Sequence, residues 1–113
     1  MNFKISQKGN ATVIALQGNL LGVPEAAELN GQVHKLLEDG KKRVVLDLSE
    51  VGFINSSGLS GLIHSASTLN KTGGRLVVAG ASKKVLELIK VTRLTPVIEA
   101  LPDVNAALEA LSE

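Results

Sequence analysis

Residues 44–79 read VVLDLSEVGFINSSGLSGLIHSASTLNKTGGRLVVA, and this stretch decides the fold. Val44-Val45-Leu46-Asp47-Leu48 is almost unbroken in apolar character, the mark of a central strand covered on both faces, and Leu76-Val77-Val78-Ala79 repeats it. Between them Leu59, Leu62, Ile63, Ala66 and Leu69 recur at helical spacing, with Ser60, His64, Ser67 and Lys71 on the opposite face. Gly73-Gly74 ends this helix. A strand, a helix and a strand of these lengths require a crossover between parallel strands.

Working outward, Phe3 and Ile5 alternate with Lys4 and Ser6 as in a half-exposed strand, and Gly9-Asn10 predicts a hairpin turn into a second strand over Ala11 to Gln17. Gly18, Gly22 and Pro24 interrupt that pattern. Ala26, Leu29, Val33, Leu36 and Leu37 then predict a first helix from about Pro24 to Asp39, stopped by Gly40. On the other side, Ser82 is placed to cap a helix to about Val91 with Val85, Leu86 and Ile89 inward. A short strand is expected around Val97-Ile98. Pro102-Asp103 opens a closing helix carrying Val104, Ala107, Leu108 and Leu111. The expected architecture is a single α/β domain over residues 1–113, a mixed sheet of four to five strands packed with about four helices.

Composition narrows the function. Twelve basic against 11 acidic side chains leave a formal charge of +1, and Phe3 and Phe53 are the only aromatic residues. A nucleic-acid partner is not expected, because there is neither a strong positive field for phosphates nor a stacking platform for bases. The absence of cysteine excludes disulfides, thiol catalysis and thiolate zinc sites. Met1 to Ser6 lacks the apolar core of a signal peptide, and the longest apolar stretch, Leu76 to Ala81, is too short to span a bilayer. The expectation is a cytoplasmic domain without membrane insertion.

Chemistry is expected at Phe53-Ile54-Asn55-Ser56-Ser57-Gly58-Leu59, which joins the central strand to the second helix, since functional loops in α/β sheets lie at the carboxyl ends of strands. Asn55 or Ser56 would be the N-cap. Two readings stand side by side. One is a capping sequence with a glycine for close packing; the other is a position for an anion or a phosphoryl group, stabilised by roughly 0.3–1 kcal/mol from the helix dipole. Gly58-Leu59-Ser60-Gly61 is no nucleophile elbow, because Leu62 stands where G-x-S-x-G requires its second glycine. His34 and His64 read as solvated, Gly73-Gly74-Arg75 lacks phosphate-loop spacing, and Asp39, Asp47 and Glu50 show no metal-ligand spacing. No cofactor and no metal are expected. Lys41-Lys42-Arg43 and Lys83-Lys84 read as solvated edges or as a surface complementary to an acidic partner.

In order and spacing, the D-L-S strand end over Asp47-Leu48-Ser49, the loop Asn55-Ser56-Ser57-Gly58-Leu59 and the strand Gly73-Gly74-Arg75-Leu76-Val77-Val78-Ala79-Gly80 resemble the STAS domain, in particular the bacterial anti-sigma-factor antagonists. Leu16-Gln17-Gly18-Asn19-Leu20 resembles that family's second strand and turn, and Leu88 to Val97 its third helix and last strand, so the resemblance covers nearly the whole chain. It implies a protein that binds an anti-sigma factor, itself a serine kinase, and thereby frees a sigma factor. Phosphorylation reverses the binding and a serine phosphatase resets it. The family's phosphoacceptor in D-S-[ST]-G corresponds to Ser56, with Asn55 in the aspartate position and Ser57, Gly58 and Leu59 completing the partner-binding loop. Such a protein binds rather than catalyses. The alternative from another class is a STAS subunit that docks on the ATPase of a membrane lipid transporter and is never phosphorylated.

Overall fold

The computed structural model describes residues 2–91 and 99–112. In chain order the elements are β1 (Asn2–Lys8), β2 (Ala11–Leu20), α1 (Val23–Glu38), β3 (Arg43–Ile54), α2 (Ser56–Lys71), β4 (Arg75–Ala79), α3 (Lys83–Val91), β5 (Glu99–Leu101) and α4 (Val104–Leu111). The strands form one five-stranded sheet in the order β1-β2-β3-β4-β5. β1 is antiparallel to β2, with Phe3 opposite Leu16, and every other pair is parallel, as strands joined through helices must be. The mixed α/β architecture read from the sequence is the one observed.

Strand alternation divides the core in two. Val44, Leu46 and Leu48 face the layer of α1, α2 and α3, where Leu29, Val33, Leu62, Ala66, Leu69, Val85 and Ile89 meet them. Val45, Val77 and Ala79 face the other way, against Ala107 and Leu111 of α4. The apolar runs are continuous because both faces are covered.

Several expectations change. β3 does not stop at Leu48 but continues through Ile54, and β2 continues to Leu20. After register shifts, Val51 pairs with Gly18 and Ile54 with Leu20, so pairing between the strands overrides the polar Ser49-Glu50 interruption. Gly18 sits at the irregularity with φ of 114°, a conformation glycine adopts without penalty. The last strand is Glu99–Leu101; Val97 and Ile98, where it was expected, lie outside the described residues. In α3, Val85 and Ile89 are buried as expected, whereas Leu86 is half-buried and Leu88 packs on the core as well.

The second layer is closed by arginines. Arg43 and Arg75 are opposite each other on β3 and β4, and two adjacent cations would repel. Arg43 donates to the Leu111 carbonyl at 2.7 Å and Arg75 to the Ala110 carbonyl at 2.9 Å, so both lie at the negative end of α4. Arg75 also grips Glu99 through two bonds of 2.6 Å. Hydrogen bonding to Arg75 holds the Glu99 carboxyl below the usual carboxylate range, against the opposing effect of its partial burial. A depressed folded-state pKa means that this contribution is present above the unfolded carboxylate pKa and lost as pH falls through the folded one. Both side chains are 41% and 46% exposed, which limits the pair to about 1 kcal/mol or less. Glu99→Gln is therefore expected to lower stability in urea at neutral pH by less than about 1 kcal/mol, with the difference from the parent vanishing in acid.

Candidate functional site

Only one residue separates β3 from α2. Ile54 is buried, Asn55 takes an extended conformation with φ of −98° and ψ of −176°, and Ser56 is already in the helix. The connection is thus a junction rather than a loop spanning residues 53–59. Asn55 is the N-cap: its Oδ1 accepts from the Gly58 N–H at 2.9 Å and its carbonyl from the Leu59 N–H at 2.9 Å. Its own N–H donates to the Leu20 carbonyl at 3.3 Å, and its Nδ2 donates to the Leu21 carbonyl at 2.5 Å. Gly58 N–H can only donate and Leu21 C=O can only accept, so these partners fix which end of the carboxamide is which.

The residues singled out in the sequence separate into two tiers. Ser56 and Ser57 are exposed in the first turn of α2, where the helix dipole is positive and no acidic residue is present. Gly58 and Leu59 are buried beneath them, Leu59 in the core and Gly58 against the end of β2. Asn55 lies between the tiers, half-buried.

Sequence reasoning did not identify the apolar rim. Leu21, 42% exposed, follows Leu20, and Phe53, 52% exposed, precedes Ile54; Leu20 and Ile54 are register partners. Two large exposed apolar residues therefore lie next to the junction in the chain, Leu21 just beyond β2 and Phe53 near the end of β3. The signal available in sequence was parity: in an alternating strand Phe53 must point away from the face that buries Ile54.

The remaining candidates lie elsewhere. His34 and His64 are exposed on their helices, and Lys83 and Lys84 are exposed at the start of α3. Asp47 accepts from the Ser49 N–H at 3.0 Å and Glu50 from Gln17 at 2.7 Å. Among the described residues no group of three or more His, Asp or Glu is placed to hold a metal ion. Clefts lined by Lys8–Ala11 with Leu108 and Leu111, and by Lys42, Arg43, Gly73, Gly74 and Arg75, open at the other end of the strands from Ser56. No helix among the described residues is long and apolar enough to cross a membrane.

Residues 3–100 match the family model described as Mlab, STAS domain. Over 80 residues the chain is 29% identical to BtrV of Bordetella bronchiseptica, which is described as an anti-sigma factor antagonist; the match covers 71% of this chain and 68% of BtrV. Its fold is similar to that of TM1081 from Thermotoga maritima, with a TM-score of 0.89 at 19% identity over 98% of this chain and 95% of the other. It is also similar to the phosphorylated form of the Bacillus cell fate determinant SpoIIAA, with a TM-score of 0.72 at 16% identity over 96% of this chain and 99% of the other.

Proposed function

The chain belongs to the STAS domain family, and from that membership we propose that it is an anti-sigma-factor antagonist. In its unmodified state it binds an anti-sigma factor that is also a serine kinase, and so frees a sigma factor in the cytoplasm. Phosphorylation of Ser56 by that kinase ends the binding, and a serine phosphatase restores it. The protein acts by binding, catalyses no reaction and uses no cofactor. The similarity to BtrV, described as an anti-sigma factor antagonist, supports the role. One structural observation carries the reading: Ser56 is exposed in the first turn of α2, directly after the Asn55 N-cap.

The switch follows from desolvation. A partner covering Ser56 removes the hydroxyl from water, and one hydrogen bond compensates that. A phosphoserine brings about −1.5 to −2 charges to the same place, and the cost of burying them without a matched cation is far greater. Binding is then lost without any refolding of the domain.

Two measurements test this. Incubation with the cognate kinase and ATP, followed by intact-mass measurement, is expected to add one phosphate to the parent and none to Ser56→Ala. Ser56→Ala is expected to bind the anti-sigma factor as the parent does, and Ser56→Glu to bind about 30-fold or more weakly, the factor for ~2 kcal/mol of uncompensated charge. Equal affinity of the three forms sinks the proposal. The absence of phosphate after prolonged reaction favours instead the subunit that docks on a lipid transporter's ATPase.

A further inference from the structure

Asn55 does more than a cap requires. Capping needs one oxygen, which Ser, Thr or Asp would also provide. What Asn adds is the carboxamide nitrogen, and here it reaches the carbonyl of Leu21, 34 positions away in sequence. Its backbone N–H takes the neighbouring carbonyl of Leu20, on which Gly58 also closes. The end of β2, the end of β3 and the first turn of α2 thus converge on one residue. Immediately afterwards the Gly22 carbonyl accepts the Ala26 N–H at 3.1 Å and starts α1.

We propose that Asn55 is a positioning residue whose carboxamide donor holds the β2 exit against the start of α2, so that Leu21 and Ser56 are presented as one surface. That this surface meets a partner rests on the function proposed above; the positioning itself is a property of the free protein. Asn55→Asp separates the two uses of the side chain. It is isosteric and keeps the capping oxygen, but it sets a carboxylate oxygen against the Leu21 carbonyl oxygen, acceptor against acceptor.

Amide hydrogen exchange on the free protein, read residue by residue by NMR at neutral pH, tests it. In Asn55→Asp the amides of residue 55 and Ala26 are expected to exchange about tenfold faster than in the parent, the factor one net hydrogen bond is worth, while the Gly58 amide keeps its protection. Asn55→Ser, which keeps a capping oxygen and cannot reach Leu21, is expected to behave as Asn55→Asp does. Asn55→Ala is expected to release Gly58 as well. Unchanged exchange at residue 55 and Ala26 in Asn55→Asp overturns the proposal, and so does loss of Gly58 protection in the same variant, which would make the cap the only role. Binding of the anti-sigma factor kinase provides the second arm, with Asn55→Asp and Leu21→Ala each expected to weaken it about tenfold. If exchange responds as stated and Ser56→Glu binds like the parent, the positioning stands and the partner reading falls.

Discussion

Gly58→Ala is expected to lose about 3 kcal/mol or more of folding stability, at or above the top of the range for overpacking a well-filled interior. An added Cβ would lie 2.8 Å from the Leu20 carbonyl carbon and closer still to its oxygen. That oxygen cannot retreat freely. Leu20 is held by its pairing with Ile54 and by the Asn55 N–H, and its side chain is fully buried. Alanine's better helix propensity returns only about 1 kcal/mol. In a domain whose net stability is about 5–15 kcal/mol, such a loss is visible in a urea titration as a lower midpoint at unchanged slope. Stability within about 0.5 kcal/mol of the parent would mean that α2 can shift away from the end of β2.

Gly61→Ala is expected to cost about 2 kcal/mol for a different reason, and one that can be reversed. Its Cβ would collide with the Ala26 Cβ and come to 3.2 Å from the Ala26 Cα, where α2 packs on α1. The closest obstacle is a single methyl group. Ala26→Gly removes it, and combining the two substitutions exchanges the glycine and the alanine across the helix interface. Helix propensity then balances, with about 1 kcal/mol gained at residue 61 and about 1 kcal/mol lost at residue 26. The double variant is expected to return to within about 1 kcal/mol of the parent, a coupling of the kind contacting residues show in a double-mutant cycle. Additive losses would indicate that the helices have no direct contact there. The nearby bond from Ser65 to Asn30, also between α2 and α1, keeps the same two helices in register and is untouched by the exchange.

Much of this molecule was legible from local pattern. The runs at Val44–Leu48 and Leu76–Ala79 are apolar on both parities because helices cover both sheet faces, and the periodic stripe from Leu59 to Leu69 could only be the helix between them. That an N-cap falls at Asn55 or Ser56 was legible because capping is a matter of a few adjacent residues, and the structure selects Asn55. Ser49-Glu50 misled for an equally local reason: two polar residues end a strand by pattern, yet pairing with β2 carries β3 on to Ile54. The last strand shows the same limit, since Glu99-Ala100-Leu101 has little strand character of its own and pairs with β4 from Val77 to Ala79.

The sequence by itself determined the element order, the α/β class and the placement of Ser56 at a strand-to-helix junction, because hydrophobic period and cap chemistry act over a few residues. Tertiary structure alone decided what surrounds that serine. Leu21 comes beside the junction only because β2 and β3 pair to their ends, and Asn55 reaches it across 34 positions of chain. Gly58 is required by the carbonyl of Leu20, a group on another element that no local pattern reveals. Those contacts depend on where distant segments lie in space, and this is settled by packing two helix layers on one twisted sheet, not by the residues on either side.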